Sequence, residues 1–493
     1  MFESVLIANR GEIACRIQRT LRRLGIRAIQ VYHPVDRQTP AVTEADEAIE
    51  LVADPAKPPV AAYLDLEAIV AACRATGAQA VHPGYGFLAE NAAFARRLAA
   101  AGIVFIGPTP DAIALMGDKI AARAFCAERG FPLAPSVPDG ADFAARCAAL
   151  GTPLLLKAAA GGGGKGMQPV HALEQLPAAL RRARTESARS FGSDVVYAER
   201  YIDNPRHVEV QILADHHGTV LHLWERECSI QRRFQKVVEE APSPTIDEAQ
   251  RQALCATAVA IAKAAGYRNA GTVEFIVAPD GEFWFLEMNT RIQVEHPVTE
   301  AITGLDIVEQ QLRIAAGQPL AFAQADVRRD GHAIELRLCA EDPARDFAPA
   351  TGTLHRLDLP ADVRVDSGVR AGQRIGSAFD SMLAKLIAQG PTREAAIAAA
   401  LAGVEDTVAL GLTTNLDFLA ALLRHPAFAA ARIDTGFIER WRDALLPAMD
   451  DAELRALAAL AAIRLQPAVA DKGSAAPRPA AATPHATIGA WSN

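Results

Sequence analysis

The chain opens with a pattern of apolar and polar positions that predicts a strand, a helix and a second strand. Residues 5–8 are apolar, residues 13–24 carry apolar side chains at helical spacing, and residues 26–32 are largely apolar again. Gly25 marks the end of the helix. The pattern predicts a βαβ unit with a right-handed crossover. The turn after the first strand lacks Gly-x-Gly-x-x-Gly, so a dinucleotide site has little support.

A hairpin is predicted where β-branched and aromatic runs, 272–277 and 282–287, flank an Ala-Pro-Asp-Gly turn. Counting outward from the turn, Glu274 falls nearly opposite Glu287, and the period of two puts Asn289 on the same face as Glu287. Two facing carboxylates repel each other unless a cation lies between them. A hard, oxygen-seeking metal such as Mg²⁺ fits this pair best. For two strand glutamates alone, a solvated hairpin edge is an equally good interpretation.

The residues after Asn289 favour the metal site. Arg291, Gln293 and Glu295 continue the alternation. They would project a cation, an amide and a further carboxylate from one face beside the acidic pair. Such a set suits a small oxyanion bound next to a magnesium nucleotide.

A glycine-rich stretch follows the apolar run 153–156, which ends at Lys157. Four consecutive glycines at 161–164 are poor choices for a regular element, because each costs up to about 1 kcal/mol of order there. They allow the backbone to approach a ligand closely with its N–H groups aimed at phosphate oxygens. This is not a P-loop, because Met167 stands where a hydroxyl residue would hold magnesium. The stretch predicts a mobile lid over nucleotide phosphates, with a flexible linker as the alternative.

Three further segments are candidate parts of a nucleotide site. The glycine-rich loop 82–91 follows a short strand, where an open α/β sheet places its functional crevice, although a purely structural turn is the alternative. Lys119 lies near a predicted helix start, where a phosphate would be favoured, although a lone lysine there is usually a surface charge. Glu199, on a strand predicted at 195–202, could receive the amino group of an adenine.

The segment 225–240 is too charged and too poor in apolar residues to be predicted as core. It could be a solvated loop. We favour one wall of an anion site, in which Arg232, Arg233 and Lys236 bring three cations close to the acidic pair.

Length and composition set the general class. A chain of 493 residues predicts about three domains. The net charge of −8 gives no electrostatic case for a nucleic-acid groove or an anionic membrane. No apolar run is long enough to span a bilayer and no secretory leader is evident, so we expect a cytoplasmic protein. The seven scattered cysteines lack Cys-x-x-Cys spacing, which argues against a disulfide framework or a zinc site.

Taken together, the motifs resemble the biotin carboxylase family, the ATP-grasp component of biotin-dependent carboxylases, over residues 3 to about 445. The segments that carry the resemblance are Ala8-Asn-Arg-Gly-Glu-Ile-Ala14, His82-Pro-Gly-Tyr-Gly-Phe, Met116-Gly-Asp-Lys, Gly161-Gly-Gly-Gly-Lys-Gly-Met, Gln231-Arg-Arg, Gln235-Lys-Val-Val-Glu-Glu, Glu287-Met-Asn-Thr-Arg-Ile-Gln-Val-Glu-His-Pro and Gly331-His-Ala-Ile-Glu. As a set these motifs are highly specific. Taken one at a time, only the segment around Glu287 is specific to this family.

The resemblance implies a fold of the α/β and α+β classes. It divides the chain into an N-terminal Rossmann-like βαβ domain (1–112), an ATP-grasp domain (113–325) with a mobile lid at about 133–202, a C-terminal α+β domain (326–445) and a tail (446–493). Composition predicts that the tail is helical to about residue 465 and then disordered and rich in alanine and proline.

The resemblance also implies roles for residues that match the family's motifs. Nucleotide contacts would come from Lys119, Lys157, Gly162, Gly163, Gly164, Glu199, His207 and Gln231; Mg²⁺ or Mn²⁺ ligands would be Glu274, Glu287 and Asn289; bicarbonate would meet Lys236, Arg291, Gln293 and the Val294 backbone. Glu295 would be the general base, and Arg337 would face the ureido oxygen of biotin. Two departures are Phe234, where the family often has histidine and where a ribose or phosphate contact would lie, and Arg200, where lysine is frequent.

The implied reaction is the ATP- and bicarbonate-dependent carboxylation of biotin on a carrier, the first half-reaction of an acyl-CoA carboxylase. Because the sequence ends without Ala-Met-Lys-Met, the carrier is either a separate protein or lies on a longer α-subunit of which this chain is a fragment. A carboxyltransferase partner and a homodimer are also implied. Two alternatives are another ATP-grasp ligase that makes an acyl phosphate and a non-catalytic nucleotide-sensing subunit. The first would not need Arg337, and the second would be expected to have lost a key acid or Arg337.

Overall fold

The computed structural model describes residues 1–52, 54–159 and 167–446. Gly162, Gly163, Gly164 and nearly all of the predicted tail lie outside the described residues. None of the helices in the described ranges combines the length and the apolar character needed to cross a membrane.

A five-stranded parallel sheet forms the beginning of the chain. Its elements are β1 (Ser4–Ile7), α1 (Gly11–Arg23), β2 (Arg27–Tyr32), α2 (Pro40–Thr43), β3 (Glu47–Glu50), α3 (Val60–Tyr63), α4 (Leu66–Thr76), β4 (Ala80–His82), α5 (Ala92–Ala100), β5 (Val104–Phe105) and α6 (Pro110–Gly117). The strand order is β3-β2-β1-β4-β5. Val5 and Ile7 join a core cluster on one face and Leu6 joins another on the opposite face, which explains the uninterrupted apolar run. The predicted βαβ unit is confirmed.

A smaller four-stranded antiparallel sheet comes next. After α7 (Lys119–Glu128), which packs in another core cluster, it is built from β6 (Ser136–Val137), α8 (Phe143–Leu150), β7 (Leu154–Ala158), β8 (Gln168–Val170), α9 (Leu176–Phe191) and β9 (Val196–Arg200). The strand order is β6-β9-β7-β8. This sheet has its own apolar cluster, separate from the other cores.

The rest of the described chain is organised around one eight-stranded antiparallel sheet. The elements of this part of the chain, inside and outside that sheet, are β10 (Arg206–Ala214), β11 (Val220–Arg232), β12 (Gln235–Ala241), α10 (Glu248–Ala264), β13 (Asn269–Val277), β14 (Phe283–Asn289), α11 (His296–Thr303), α12 (Ile307–Ala315), β15 (His332–Cys339), β16 (Glu341–Asp342), β17 (Ala348–Pro349), β18 (Gly352–Thr353), β19 (Arg356–Asp358), β20 (Arg364–Ser367), β21 (Arg374–Ile375), β22 (Met382–Gly390), α13 (Arg393–Asp406), β23 (Val408–Leu410), α14 (Leu416–Arg424), α15 (Pro426–Ala429), α16 (Phe437–Arg440) and α17 (Arg442–Leu445).

The strand order in this sheet is β14-β13-β10-β11-β12-β15-β22-β20. Pairing of β12 with β15 makes the strands after residue 331 a direct continuation of those before residue 290. Side chains from both halves can therefore meet on one face of a single sheet.

The charged segment 225–240 lies in β11 and β12, so the expectation that it is not core is wrong. Arg226 is fully buried because its guanidinium is bonded on every side: Nε donates to Glu209 at 2.5 Å, and the terminal nitrogens donate to Gln211, Thr272 and Thr299. Charges that are paired and hydrogen-bonded can be buried, whereas isolated charges cannot. The partners lie on other strands and on α11, so the segment's own sequence did not reveal them.

Candidate active site

The acidic pair lies on the predicted hairpin. Glu274 of β13 is directly opposite Glu287 of β14, with a register shift immediately after Glu274. Glu274 is buried, whereas 29% of the Glu287 side-chain surface is exposed to solvent. The predicted register is confirmed, and the pair has one carboxylate inside the sheet and one at its accessible edge.

Glu274 is the centre of a hydrogen-bond network. Its Oε1 accepts from Lys236 Nζ at 2.9 Å, from Asn289 Nδ2 at 2.8 Å and from Gln293 Nε2 at 2.9 Å. Its Oε2 lies 2.6 Å from His207 Nε2. Burial alone would raise the pKa of Glu274, but Lys236 and His207 hold that pKa well below its ordinary value. The carboxylate is therefore charged.

Lys236 of β12 connects three carboxylates. Its Nζ lies 2.6 Å from Glu209, 2.9 Å from Glu274 and 2.6 Å from Glu295. Burial would lower the pKa of the Lys236 ammonium, but these carboxylates hold that pKa well above its ordinary value. The ammonium therefore stays charged and holds the three carboxylates together.

Glu295 lies between Lys236 and Arg337. Arg337 Nη2 donates to Glu295 Oε2 at 2.9 Å, and Arg337 Nε donates to Glu239 Oε1 at 2.7 Å. Burial would raise the pKa of Glu295, but Lys236 and Arg337 hold it well below its ordinary value. Arg337 lies on β15, whereas Glu295 is the residue that immediately precedes α11. The pairing of β15 with β12 brings the two side chains together.

The loop 290–295 differs from the predicted continuation of the strand. β14 ends at Asn289, so Arg291, Gln293 and Glu295 do not alternate along a strand. The loop is held by Glu90 of the glycine-rich loop 82–91. Glu90 accepts hydrogen bonds from the Thr290 backbone N–H and from Arg291 Nε, both at 3.1 Å. The side chains still meet the acidic pair, but loop contacts rather than strand periodicity bring them there.

The remaining predicted residues surround this centre. Lys119, the first residue of α7, places Nζ 3.0 Å from Glu287 Oε2. Lys157 of β7 pairs with Glu199 of β9, which also pairs with Arg123. Gln231 of β11 is buried.

Two of the three cations predicted to approach the acidic pair do not. Arg232 lies 3.6 Å from Glu341, and Arg233 pairs with Asp346. Residues 233 and 234 form the tight turn between β11 and β12 and both have positive φ. The turn carries these side chains to other partners, and of the three predicted cations only Lys236 reaches the acidic pair.

Residues in contact with this site that were missed from the sequence include Glu90, Arg123, Glu209, Glu239 and Lys385. Burial, together with the negative charge of Glu295, raises the pKa of Glu209 to about 7 against the pull of Arg226. Glu209 had a usable signal, because His207 and Glu209 are alternate residues of one strand and so share a face. Glu90 had none beyond its position in the glycine-rich loop.

The acidic pair fits the proposed metal. Glu274 and Glu287 would supply carboxylate oxygens from adjacent strands, and Asn289 would add an amide oxygen two residues along β14. Hard oxygen donors of this kind suit Mg²⁺ or Mn²⁺.

Three family models match successive parts of the chain. They are the biotin carboxylase N-terminal domain at residues 1–113, the ATP-binding domain of the carbamoyl-phosphate synthase L chain at 118–323, and the biotin carboxylase C-terminal domain at 335–440.

Relatives of known name agree. The propionyl-CoA carboxylase alpha chain of Ruegeria pomeroyi is 46% identical over 493 residues, covering 94% of this chain and 72% of the relative. Biotin carboxylase 2 of Bacillus subtilis is 48% identical over 446 residues, covering 89% and 100%. The mitochondrial methylcrotonoyl-CoA carboxylase subunit alpha of rice is 48% identical over 453 residues, but this chain covers only 61% of it.

Solved structures agree as well. The biotin carboxylase domain dimer of the 2-oxoglutarate carboxylase of Hydrogenobacter thermophilus, in complex with MgADP, ADP and bicarbonate, superposes with a TM-score of 0.88 at 41% identity, covering 91% of this chain and all of that one. Biotin carboxylase of Campylobacter jejuni gives a TM-score of 0.86 at 40% identity, covering 89% and 99%. The chain belongs to the biotin carboxylase family, and its fold is the one that the resemblance in the sequence implied.

Proposed function

We propose that this chain uses ATP and bicarbonate to carboxylate the ureido nitrogen of biotin on a carrier protein or domain. The observation that carries the proposal is the placement of Glu295 between Lys236 and Arg337, beside the acidic pair. A site that only bound a nucleotide would need the lysines and the acidic pair. It would not need a further carboxylate, that of Glu295, held between two cations.

The proposed domains are an N-terminal domain at 1–112, an ATP-grasp domain at 113–325 with a lid at about 133–202, and a C-terminal domain at 326–445. The separate four-stranded sheet and its own core support a lid that moves as a unit. The ends of the three matched family models also support these boundaries.

The nucleotide is proposed to lie between the lid and the eight-stranded sheet. Its phosphates would meet Lys119, Lys157, His207 and the backbone of Gly162, Gly163 and Gly164. Glu199 and Gln231 would contact its adenosine. The ion pair between Lys119 and Glu287 supports this assignment, because it aims Lys119 at the acidic pair. The ion pair between Lys157 and Glu199 places Lys157 beside the proposed adenosine contact.

Glu274, Glu287 and Asn289 are the proposed ligands of Mg²⁺ or Mn²⁺. When bound with ATP, the ion supplies positive charge that offsets the negative charge of the phosphates. Lys236 and His207, which already neutralise Glu274, would keep its carboxylate ionised and so ready to bind a cation.

Bicarbonate is proposed to bind Lys236, Arg291, Gln293 and the Val294 backbone. By sharing Lys236 with Glu295, the anion would weaken the interaction that keeps the pKa of Glu295 low, so the carboxylate would become a stronger base. Glu295 would then take the bicarbonate proton. The bicarbonate oxygen would attack the γ-phosphorus, the bond to the β-phosphate oxygen would break, and carboxyphosphate and ADP would form.

Carboxyphosphate would break down to CO₂ and phosphate next to biotin. The phosphate released with CO₂ would accept the proton of the ureido nitrogen, and that nitrogen would attack CO₂ as negative charge develops on the ureido oxygen. Arg337 is proposed to stabilise that oxygen. The Glu239 and Glu295 carboxylates hold the pKa of Arg337 above its ordinary value despite burial, so it stays a cation throughout.

The proposed partners are a biotin carrier, a carboxyltransferase and a second copy of the chain. The names of the relatives support the first two, since several are alpha chains of acyl-CoA carboxylases, and the dimer in a similar structure supports the third. We propose that the carboxyltransferase, rather than this chain, selects the final acceptor. The cytoplasmic location stays a prediction from the sequence.

The proposal is tested by omitting each substrate in turn from an assay of the purified protein. ATP hydrolysis and acid-labile, isotope-labelled carboxybiotin are measured with Mg²⁺, bicarbonate, and free biotin or a biotinylated carrier. We expect carboxybiotin only when ATP, bicarbonate and biotin are all present. ATP turnover that is indifferent to bicarbonate would point to another ATP-grasp ligase, and nucleotide binding without any turnover would point to a sensing subunit.

A further inference from the structure

Lys385 of β22 is a fully buried lysine directly behind the proposed bicarbonate site. Its Nζ donates to the Val294 carbonyl oxygen at 2.7 Å and lies 3.3 Å from Glu12 Oε1. In the sheet, Lys385 is paired in register with Arg337 on one side and with Asp366 on the other. One ammonium thus joins the loop that precedes Glu295 to the N-terminal part of the chain.

Glu12 is itself held firmly in place. The Tyr85 hydroxyl donates to Glu12 Oε1, and the Asn9 side chain donates to the Tyr85 carbonyl at 2.7 Å. Gly368, which follows β20, lies so close that a Cβ there would be 2.4 Å from the Glu12 backbone nitrogen. Strand β20 therefore packs directly on the backbone that carries Glu12, and the carboxylate has little freedom to move away from Lys385.

We propose that Lys385 is a positioning residue for biotin carboxylation, which fixes the peptide between Val294 and Glu295 relative to helix α1 through its bonds to Val294 and Glu12. The proposal rests on the function proposed above.

The hydrogen bond to the Val294 carbonyl is what gives Lys385 this role. That carbonyl belongs to the peptide that leads into Glu295, so its direction sets the position from which the Glu295 side chain starts. The preceding part of the loop is held by Glu90, through Thr290 and Arg291. Lys385 supplies the matching restraint at the other end of the loop.

A buried lysine is costly unless its charge is compensated. Burial would lower the pKa of Lys385, but Glu12 and Glu335 raise it above its ordinary value, so the side chain remains an ammonium and donates a charge-assisted bond. A structural ion pair with Glu12 alone would not require the second bond to a loop carbonyl.

The test compares three variants of the full chain with the wild type. Lys385→Met removes the charge and both bonds, and Lys385→Met with Glu12→Gln also removes the carboxylate that would be left uncompensated. Arg251→Met is the matched control, because Arg251 is also buried and paired with a buried acid, Glu225, at 2.8 Å, but it lies on α10 and has no place in the proposed site. The measurements are kcat and KM for bicarbonate in bicarbonate-dependent ATP hydrolysis, the Kd of MgADP and the melting temperature.

We expect Lys385→Met to lower kcat/KM for bicarbonate by about tenfold or more, because a displacement of about 1 Å can cost about a hundredfold in rate. The Kd of MgADP should stay within about threefold of the wild type. The double variant should regain melting temperature but not kcat/KM. Arg251→Met should lose melting temperature and keep kcat/KM.

A double variant that regains both melting temperature and kcat/KM would show that Lys385 is only structural, and so would overturn the inference. If Lys385→Met does not fold, the double variant is compared directly with the wild type in melting temperature and kcat/KM. If the wild type itself shows no bicarbonate-dependent ATP hydrolysis, the proposed function fails and this inference fails with it.

Discussion

Arg337 and Glu295 are the two ends of the charged contact on which the proposed chemistry depends. Arg337 Nη2 lies 2.9 Å from Glu295 Oε2, while the other side of the guanidinium is held by Glu239. Glu239 and Arg337 are on adjacent strands, so the guanidinium is oriented before any substrate binds. A charge fixed in advance stabilises a developing anion without reorganising at the moment of reaction.

Replacing Arg337 with alanine should abolish most biotin carboxylation while leaving nucleotide binding intact. By analogy with the loss of an oxyanion-hole donor, the expected cost in transition-state stabilisation is about 2–4 kcal/mol. Carboxybiotin formation and the Kd of MgADP are measured on the same preparation. The control is Arg356→Ala, which removes an exposed arginine paired with Asp358. Near-normal carboxylation by Arg337→Ala would contradict the role assigned to this residue.

Glu295→Gln keeps the shape of the side chain but removes the proposed base. Bicarbonate-dependent ATP hydrolysis should fall by about 10²–10⁴-fold, which is the usual contribution of a positioned base. Nucleotide affinity should change little, because Glu295 contacts Lys236 and Arg337 rather than the lysines proposed to bind phosphate. Hydrolysis at the wild-type rate would exclude Glu295 as the base.

Glu287→Gln should raise the Mg²⁺ concentration needed for half-maximal ATP hydrolysis, because an amide is a weaker ligand for a hard cation than a carboxylate. We expect an increase of about tenfold or more, by comparison with other losses from a metal site. Glu282→Gln is the matched control, since Glu282 is an exposed glutamate of the same hairpin. An unchanged Mg²⁺ requirement in Glu287→Gln, or an equal change in both variants, would argue against the assignment.

The buried carboxylate of Glu240 should make stability depend on pH in the acid range. Burial would raise the pKa of Glu240, but hydrogen bonds from His332 and Arg393 lower it below its ordinary value. Because the folded-state pKa lies below the unfolded value of about 4.3, the stabilisation is fully present above that pH and is lost as the pH falls through the folded-state pKa.

Comparison with Glu240→Gln isolates this effect. At pH 7 the wild type should exceed the variant by about 1.5–3 kcal/mol in free energy of unfolding, the usual contribution of hydrogen bonds to a charged group. The difference should shrink at pH 4 and again at pH 3. Denaturant unfolding at each pH measures it, and a difference that does not change with pH would show that the Glu240 charge makes no such contribution.

The sequence predicted those parts of the site that depend on neighbours along the chain. A turn between two β-branched runs limits which residues can face each other, so the count from the turn places Glu274 nearly opposite Glu287. A register shift after Glu274 brings the two directly opposite. The βαβ unit was predictable for the same reason, since residues 4–32 contain its whole pattern.

What the sequence did not predict depends on residues far apart along the chain. Arg226 is buried because its partners come from β10, β13 and α11. The joining of two halves into one eight-stranded sheet depends on β12 pairing with β15, and no local pattern specifies that pairing. The charge of segment 225–240 predicted that Lys236 approaches the acidic pair, but its contact with three carboxylates was not predicted.

The most direct test of the central claim is the fate of a bicarbonate oxygen. If bicarbonate attacks the γ-phosphorus, one of its oxygens must end up in the released phosphate. The measurement uses ¹⁸O-labelled bicarbonate with ATP, Mg²⁺ and biotin, and determines the ¹⁸O content of the phosphate by mass spectrometry. We predict one ¹⁸O per phosphate released with carboxybiotin, and loss of this product in Glu295→Gln. Phosphate whose new oxygen comes only from water would contradict the carboxyphosphate route and, with it, the role proposed for the site around Glu295.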